Sequence, residues 1–329
     1  MKSMVTPILL IALMLSAALI KLEGTLAFAQ DYPVRAITVL VPHAVGGSTD
    51  ILSRIIARKL SESLGQQVVV DNRPGAGGNI GMGSAAKAAP DGYTLVIGSL
   101  GTLAINPNLY RKVPFDPVRD FMPITPLATL PLVLTMHPSI PSNSVMELVA
   151  FARARPNQLN YGSGGNGSIG HISAEMFKTA TGINIFHVPY RGATPALIDL
   201  VSGQIAVLFT GIPIALPHMR SGKLKVLAIT SDKRSPMLPE LPTIGEAGVP
   251  GFEFSFWLGL VAPTGTPSQL VNRLNKELVR IMDLPDIKEL FASLGADPMQ
   301  SSPDDFGTLI RNEIRKYAKV VKEAGMRLD

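Results

Sequence analysis

Twice along this chain an apolar run breaks into a glycine-rich turn that opens a helical pattern, and no other feature restricts the fold as much. The first turn is Pro42-His43-Ala44-Val45-Gly46-Gly47-Ser48-Thr49-Asp50; the second is Tyr161-Gly162-Ser163-Gly164-Gly165-Asn166-Gly167-Ser168-Ile169-Gly170-His171. Apolar run, tight turn and helix together make the βα unit of a sheet covered by helices. A helix N-terminus preceded by glycine exposes backbone N–H groups and the positive end of the helix dipole. Two such ends, one in each half of the chain, would form a clamp for a small anion such as a carboxylate. The pattern points to a binder of organic acids more than to an enzyme.

The rest of the chain repeats the βα alternation. Strands are expected at 37–41, 67–70 and 93–97. Between the first two, Ile51, Leu52, Ile55, Ile56, Leu60 and Leu64 fall at helical spacing, ended by Gly65; a Gly/Ala-rich helix fits 79–89. This order implies parallel strands with right-handed crossovers. A second series has strands at 130–136, 159–161, 183–188, 205–209 and 225–230. Its helices start at the capping box Ser144-Val145-Met146-Glu147, run through Ile172, Met176, Phe177 and Ala180 to Gly182, and run from Thr194-Pro195 to Gly203. Residues 236–250 read as a loop, 252–261 as an aromatic strand, and three helices close the chain. Terminal helices without a sheet of their own pack most economically back on the first lobe. The chain then crosses twice between lobes, near 126–130 and near 250–254, which makes a hinge with the ligand in the cleft. The expected organisation is a leader at 1–29, one lobe from 30–128 with 253–329, and a second lobe from 129–252.

Composition narrows the setting. A chain of 329 residues holds two ordinary domains, and 46% hydrophobic with 17% charged residues excludes disorder. Lys2, the apolar stretch 7–20 and Ala27-Phe28-Ala29 read as a cleavable signal peptide, with the mature chain starting near Gln30. The apolar stretch is short for a membrane span, and no later segment is long and apolar enough to cross a bilayer. The absence of cysteine removes disulfides and any lipid-bearing N-terminal cysteine, so the mature chain is expected free in the periplasm, not as a lipoprotein. The net charge of +5 is mild and spread out. Without basic runs interleaved with aromatics it argues against nucleic acid, while modestly favouring anionic ligands.

Several further stretches are recognisable: Asp71-Asn72-Arg73-Pro74-Gly75-Ala76-Gly77-Gly78-Asn79-Ile80-Gly81, Ala89-Pro90-Asp91-Gly92-Tyr93-Thr94-Leu95, Ala104-Ile105-Asn106-Pro107, His187-Val188-Pro189-Tyr190-Arg191-Gly192, Lys233-Arg234-Ser235-Pro236 and Glu246-Ala247-Gly248-Val249-Pro250-Gly251. Together with the two glycine turns, they resemble the Bug family, the solute receptors of tripartite tricarboxylate transporters, in order along essentially the whole mature chain. The resemblance implies an α/β fold of the periplasmic binding protein type II, with two lobes joined by a two-strand hinge and a small carboxylate in the cleft. A membrane permease would take the cargo. The same resemblance implies that backbone amides, Ser/Thr hydroxyls and waters hold the carboxylates, rather than arginine clamps. Two positions depart from the family pattern: His43 stands where an aromatic is usual, and Thr210-Gly211 where an Asp is common. Losing that carboxylate weakens the case for a ligand with an ammonium group, and a histidine adds a pH-dependent donor.

The site expected from these readings has Gly46, Gly47, Ser48 and Thr49 at one end and Gly165, Asn166, Gly167 and Ser168 at the other. Ser99, Gly101 and Thr102, after the third strand, and Thr210 complete the wall, because such sheets bind ligands at the carboxyl ends of their strands. Competing chemistries fit less well. A phosphate loop at 71–81 would need glycine where Ile80 stands, and no G-x-x-x-x-G-K-[ST] occurs. That stretch reads instead as a rigid support for the cleft, with Arg73 in a structural ion pair. A serine esterase built on Ser163 or Ser168 with His171, His187 and Asp199 lacks the G-x-S-x-G elbow. The five histidines lack metal-ligand spacing, so no metal or cofactor is implied. Trp257 reads as core or hinge packing. The expected partners are a small carboxylate and a membrane permease, with the chain acting as a monomer; a membrane sensor kinase is the alternative partner.

Overall fold

Two groups of strands meet along one long strand that belongs to both. The computed structural model describes residues 32–323 and residue 326; the expected signal peptide, its cleavage site and Gln30 lie outside the described residues. In the first group β1 (Ile37–Val41) runs parallel to β2 (Val68–Asn72) and β3 (Thr94–Ser99), and β3 pairs antiparallel with β9 (Ser255–Pro263). In the second, β5 (Asn160–Ser163) lies parallel to β6 (Phe186–Pro189) and β7 (Val207–Gly211). The long strand β4 (Phe121–Met136) pairs with β9 from Phe121 to Pro131, then with β7 from Leu132 to Met136. It also pairs with β8 (Lys225–Ile229) and with the short β10 (Asp297–Pro298). The spatial order is therefore β2-β1-β3-β9-β4-β7-β5-β6.

The change of partner at Pro131 and Leu132 is the first of two crossings. The second is tied to it: Phe254 N–H donates to Thr230 O at 2.7 Å, and Leu132 N–H donates to Thr230 Oγ1 at 2.7 Å. Two adjacent strands thus carry the chain between two α/β lobes, which is the geometry of a hinge. The first half of β4 was not expected as a strand. Pro123, Pro126 and Pro131 interrupt its donor pattern, and its register with β9 shifts beside the first two of these.

Helices cover both sheets. α1 (Ser48–Leu64) follows β1, buries Leu52, Ile56 and Leu60 at four-residue spacing, and ends at Gly65 with φ +68. α2 (Asn79–Ala85) precedes β3, and α3 (Asn106–Leu109) continues a wide turn at Gly101–Ile105. α4 (Val145–Arg153) begins at the expected cap, where Glu147 N–H donates to Ser144 Oγ at 3.2 Å. α5 (Ile169–Thr181) and α6 (Ala193–Val201) pack against β5 and β7. α7 (Ile212–Arg220) has no counterpart among the expected helices, and it contains Pro213 and Pro217. Pro213 lies in the first turn, where its missing N–H costs nothing, and Pro217 removes only one backbone bond. The closing helices α8 (Ser268–Met282), α9 (Pro285–Ala292) and α10 (Pro303–Glu323) return to the first strand group. There α8 and α10 pack against β4, and Lys59 of α1 bridges Asp286 of α9 at 2.7 Å. Trp257 is buried edge-on against Phe306, with ring centroids 5.5 Å apart. Among the described residues no helix is long and apolar enough to cross a membrane.

Candidate functional site

A cavity of about 420 Å³ lies between the lobes, at the carboxyl ends of β1, β3, β5 and β7. Leu132 and Phe256, from the hinge strands, form part of its wall. The first turns of four helices reach it: Gly47, Ser48 and Thr49 of α1, Ser168, Ile169 and Gly170 of α5, Gly192 and Ala193 of α6, and Gly211 of α7. Each helix follows its strand directly or after a short loop, so its positive dipole end, with whatever first-turn N–H groups proline leaves it, faces the same space. No Asp or Glu lines the cavity, and Arg191 at its exposed rim supplies the one charged side chain among the described lining residues. Pro42, Pro74, Ala76, Ile214 and Phe209 make the remaining wall apolar. Such a site suits an anion with a hydrocarbon body.

Eight of the residues expected from the sequence line this cavity: Gly47, Ser48, Thr49, Ser99, Gly165, Asn166, Ser168 and Thr210. Gly46, Gly101, Thr102 and Gly167 stand one layer behind. Gly46, at φ +79, donates its N–H to Asp50 Oδ2 at 2.9 Å and so shapes the α1 turn. Burial opposes ionisation of Asp50, but Arg54, the Gly46 N–H and Asn72 outweigh it and hold the carboxylate below its usual range. Thr102 clamps Ser99: its Oγ1 accepts the Ser99 N–H at 3.0 Å, and its own N–H donates to Ser99 Oγ at 3.2 Å. Gly101 lies in the same turn, 3.5 Å from Ser99 Oγ at the position a Cβ would take. Gly167, at φ +77, sits against Asn106 and Tyr110 of the other lobe, where a Cβ would come within 2.8 Å of both.

Three parts of the wall escaped the sequence reading. Pro74 to Gly78, expected as support, faces the cavity, and a Cβ on Gly77 would come within 2.7 Å of Asn166 O across the cleft. Arg73 does pair with Asp71, at 2.9 Å. Tyr190, Arg191 and Gly192 also line the cavity, and an arginine-glycine pair ahead of a helix is the signal in the sequence that marks them. Tyr110 closes the rim by donating to Asn166 O at 2.5 Å.

The chemistry of the site is neutral. His43 lines the cavity with Nε2 3.5 Å from Ser99 Oγ, and burial pushes its imidazole down to about 4. Thr210 Oγ1 is buried in the wall with no hydrogen-bond partner. Ser163 does meet His187, at 2.6 Å, as a hydrolase dyad would. Ser163 is fully buried, however, and Asp199 is engaged elsewhere, accepting from Tyr190 Oη at 2.7 Å. Nothing attacks a substrate from that position.

Comparison with known proteins agrees with this geometry. The pattern of the family described as tripartite tricarboxylate transporter family receptor matches residues 52–326. Protein BugT of Bordetella pertussis (strain Tohama I) is 40% identical over 301 residues, covering 91% of this chain and 92% of that protein. The solved structure of Rpa4515 of R. palustris with adipate is 42% identical, has a TM-score of 0.88, and is matched over 90% of this chain and 99% of its own. MatC of Rhodopseudomonas palustris, solved with bound malate, is 35% identical with a TM-score of 0.84, over 88% of this chain and 100% of its own. Its neighbours are solute-binding receptors, not enzymes, and the chain belongs to the tripartite tricarboxylate transporter receptor family, the Bug-type periplasmic solute-binding proteins.

Proposed function

We propose that this protein captures a small carboxylate between its lobes and delivers it to a tripartite tricarboxylate-type permease, working in the periplasm as a monomer after its signal peptide at 1–29 is removed. One lobe comprises 30–128 and 253–329, the other 129–252. The observation that carries the reading is the convergence of four helix N-termini on one cavity without an acidic side chain. Gly47, Ser48 and Thr49 hold one end of the ligand, and Gly165, Asn166 and Ser168 hold the other. Ser99, supported by Gly101 and Thr102, and Thr210 complete the wall, while Gly46 and Gly167 shape the two turns. A ligand touching both lobes stabilises the closed state because the open state offers it only half of these contacts. Adipate and malate, bound by the two structural relatives, are both small carboxylates, which supports the same class here.

A thermal-shift screen over mono-, di- and tricarboxylates tests this. An acid present at about 100 times its dissociation constant should add about 2.7 kcal/mol to the stability of the folded chain. Gly47→Val should abolish that gain and leave the unliganded melt nearly unchanged, since a Cβ there makes only ordinary contact, 3.5 Å from Ala44 O. A screen in which no acid raises the melting temperature would overturn the reading.

A further inference from the structure

Under the second-lobe loop that borders the cavity lies a column of stacked rings, buried at Tyr161 and His171 and half-buried at His187. Tyr161 of β5 faces His187 of β6 with centroids 4.8 Å apart, and His187 faces His171 of α5 at 4.2 Å. Both histidines reach back to the loop. His171 Nδ1 accepts the Gly167 N–H at 3.1 Å. His187 Nε2 lies 2.6 Å from Ser163 Oγ, and that hydroxyl accepts the Gly165 N–H at 3.1 Å. Gly165 and Gly167 have φ +113 and +77, so the loop is held in a backbone geometry that favours glycine. The accepting role sets the His171 tautomer, with Nδ1 bare and the proton on Nε2.

We propose that His171, braced by His187, is a positioning residue that keeps the Gly165–Ser168 loop in its binding geometry only while its ring is neutral, so that acid loosens the grip on the bound anion from inside the second lobe. This rests on the reading that the cavity holds a carboxylate. A proton on Nδ1 turns an acceptor into a donor facing the Gly167 N–H, and Gly167 must turn away. Gly165, Asn166 and Ser168 are cavity wall, and Ser168 Oγ caps α5 through the His171 N–H at 3.4 Å. One residue therefore anchors both the loop and the cap.

The groups facing the ring pair do not compensate an imidazolium. Glu175 on α5 accepts from the Tyr161 hydroxyl and pairs with Lys178 at 2.8 Å, so its charge is already matched. From the first lobe, Tyr110 donates to Asn166 O, and its ring and the neutral Asn106 amide lie beside Gly167, so neither brings a charge to the rings. His171 and His187 are both pushed down to about 4, chiefly by burial; the neighbouring His171 adds to this for His187, Lys178 acts in the same direction on both, and Glu175 opposes without prevailing. His43, on the cavity wall, acts in the opposite sense, because its protonation would favour an anion.

The first test uses the ligand-free mature chain. Nitrogen NMR should show His171 neutral at pH 7 with the proton on Nε2, and the Gly165 and Gly167 amides should shift with the midpoint of the His171 titration. The second measures binding of adipate and of malate by calorimetry between pH 7.5 and 4, in wild type and in His171→Phe, which keeps a flat ring and removes the acceptor. Protonation of the acids is common to both proteins and cancels in the comparison. His171→Phe should bind about tenfold more weakly at pH 7.5 and lose less affinity on acidification than wild type, as expected for one deleted hydrogen bond. His43→Phe should fall at least as steeply as wild type on acidification, since it removes a wall group whose protonation favours the anion. A Gly167 amide that ignores the His171 titration, or identical acid dependence in wild type and His171→Phe, would overturn the proposal. If His171→Phe does not fold, the NMR titration decides alone. If no carboxylate binds at any pH, the proposed function fails, while the coupling of ring to amide in the unliganded chain still decides the role of His171.

Discussion

At the scale of single residues, the site is defined by groups that are polar without being charged. Thr210 Oγ1 is buried and unpartnered, a state that costs free energy until something bonds it. Thr210→Val should therefore leave the unliganded protein as stable or more so, and weaken carboxylate binding about tenfold, measured by denaturant melts and calorimetry side by side. Unchanged affinity would remove Thr210 from the wall. Arg191 is exposed at the rim, where water and salt screen its charge. Arg191→Ala should cost less than about fivefold at physiological ionic strength, and its effect should shrink further as salt is added. Two of the expected turns were legible because glycine followed by Ser or Thr marks a strand-to-helix switch. Pro74 to Gly78 was not, since a loop that supports a cleft and a loop that lines it carry the same glycines; only the fold brings Gly77 against Asn166.

At the scale of elements, α1 and α5 were readable because their apolar residues repeat at helical spacing and end in glycine. α7 and the first half of β4 were hidden by proline, whose cost depends on where in the element it falls. The Ser144 cap is a clean local test. Ser144→Ala should destabilise the fold by about 1 kcal/mol and leave ligand affinity unchanged, because α4 contributes nothing to the cavity wall. Acid acts on elements as well. His43, His171 and His187 are pushed to about 4 in the folded chain, below the 6.5 of a free imidazole. The unfolded chain then binds more protons than the folded one between these values, so stability should fall as pH drops from 6.5 to 4. Urea melts across that range check the sign; a flat profile would mean that the rings are not held neutral.

At the scale of the whole molecule, function depends on two surfaces that approach closely enough for backbone to meet backbone. Glycines make the approach possible. A Cβ on Gly211 would come within 2.0 Å of Ser48 Oγ and 3.1 Å of Ser48 Cβ on the other lobe, while the φ of −68 at Gly211 is one any residue adopts. Gly211→Ala should thus act as a wedge without straining its own strand. The variant should fold, should stay more open than wild type in small-angle scattering with ligand present, and should bind between about 5-fold and 100-fold more weakly. The two-lobed plan itself was legible, because helices that close a chain without a new sheet have to pack on an earlier one. The crossings were expected within a few residues of the hinge strands, and the actual switch, at Pro131 and Leu132, depends on pairing that no local pattern encodes. The central claim is that neutral main-chain donors hold the anion. A crystal structure of the complex with whichever acid gives the largest thermal shift tests it most directly. Carboxylate oxygens should lie within hydrogen-bond distance of N–H groups in the first turns of α1 and α5; a ligand bound elsewhere, or met chiefly by Arg191 or a lysine, would contradict the account.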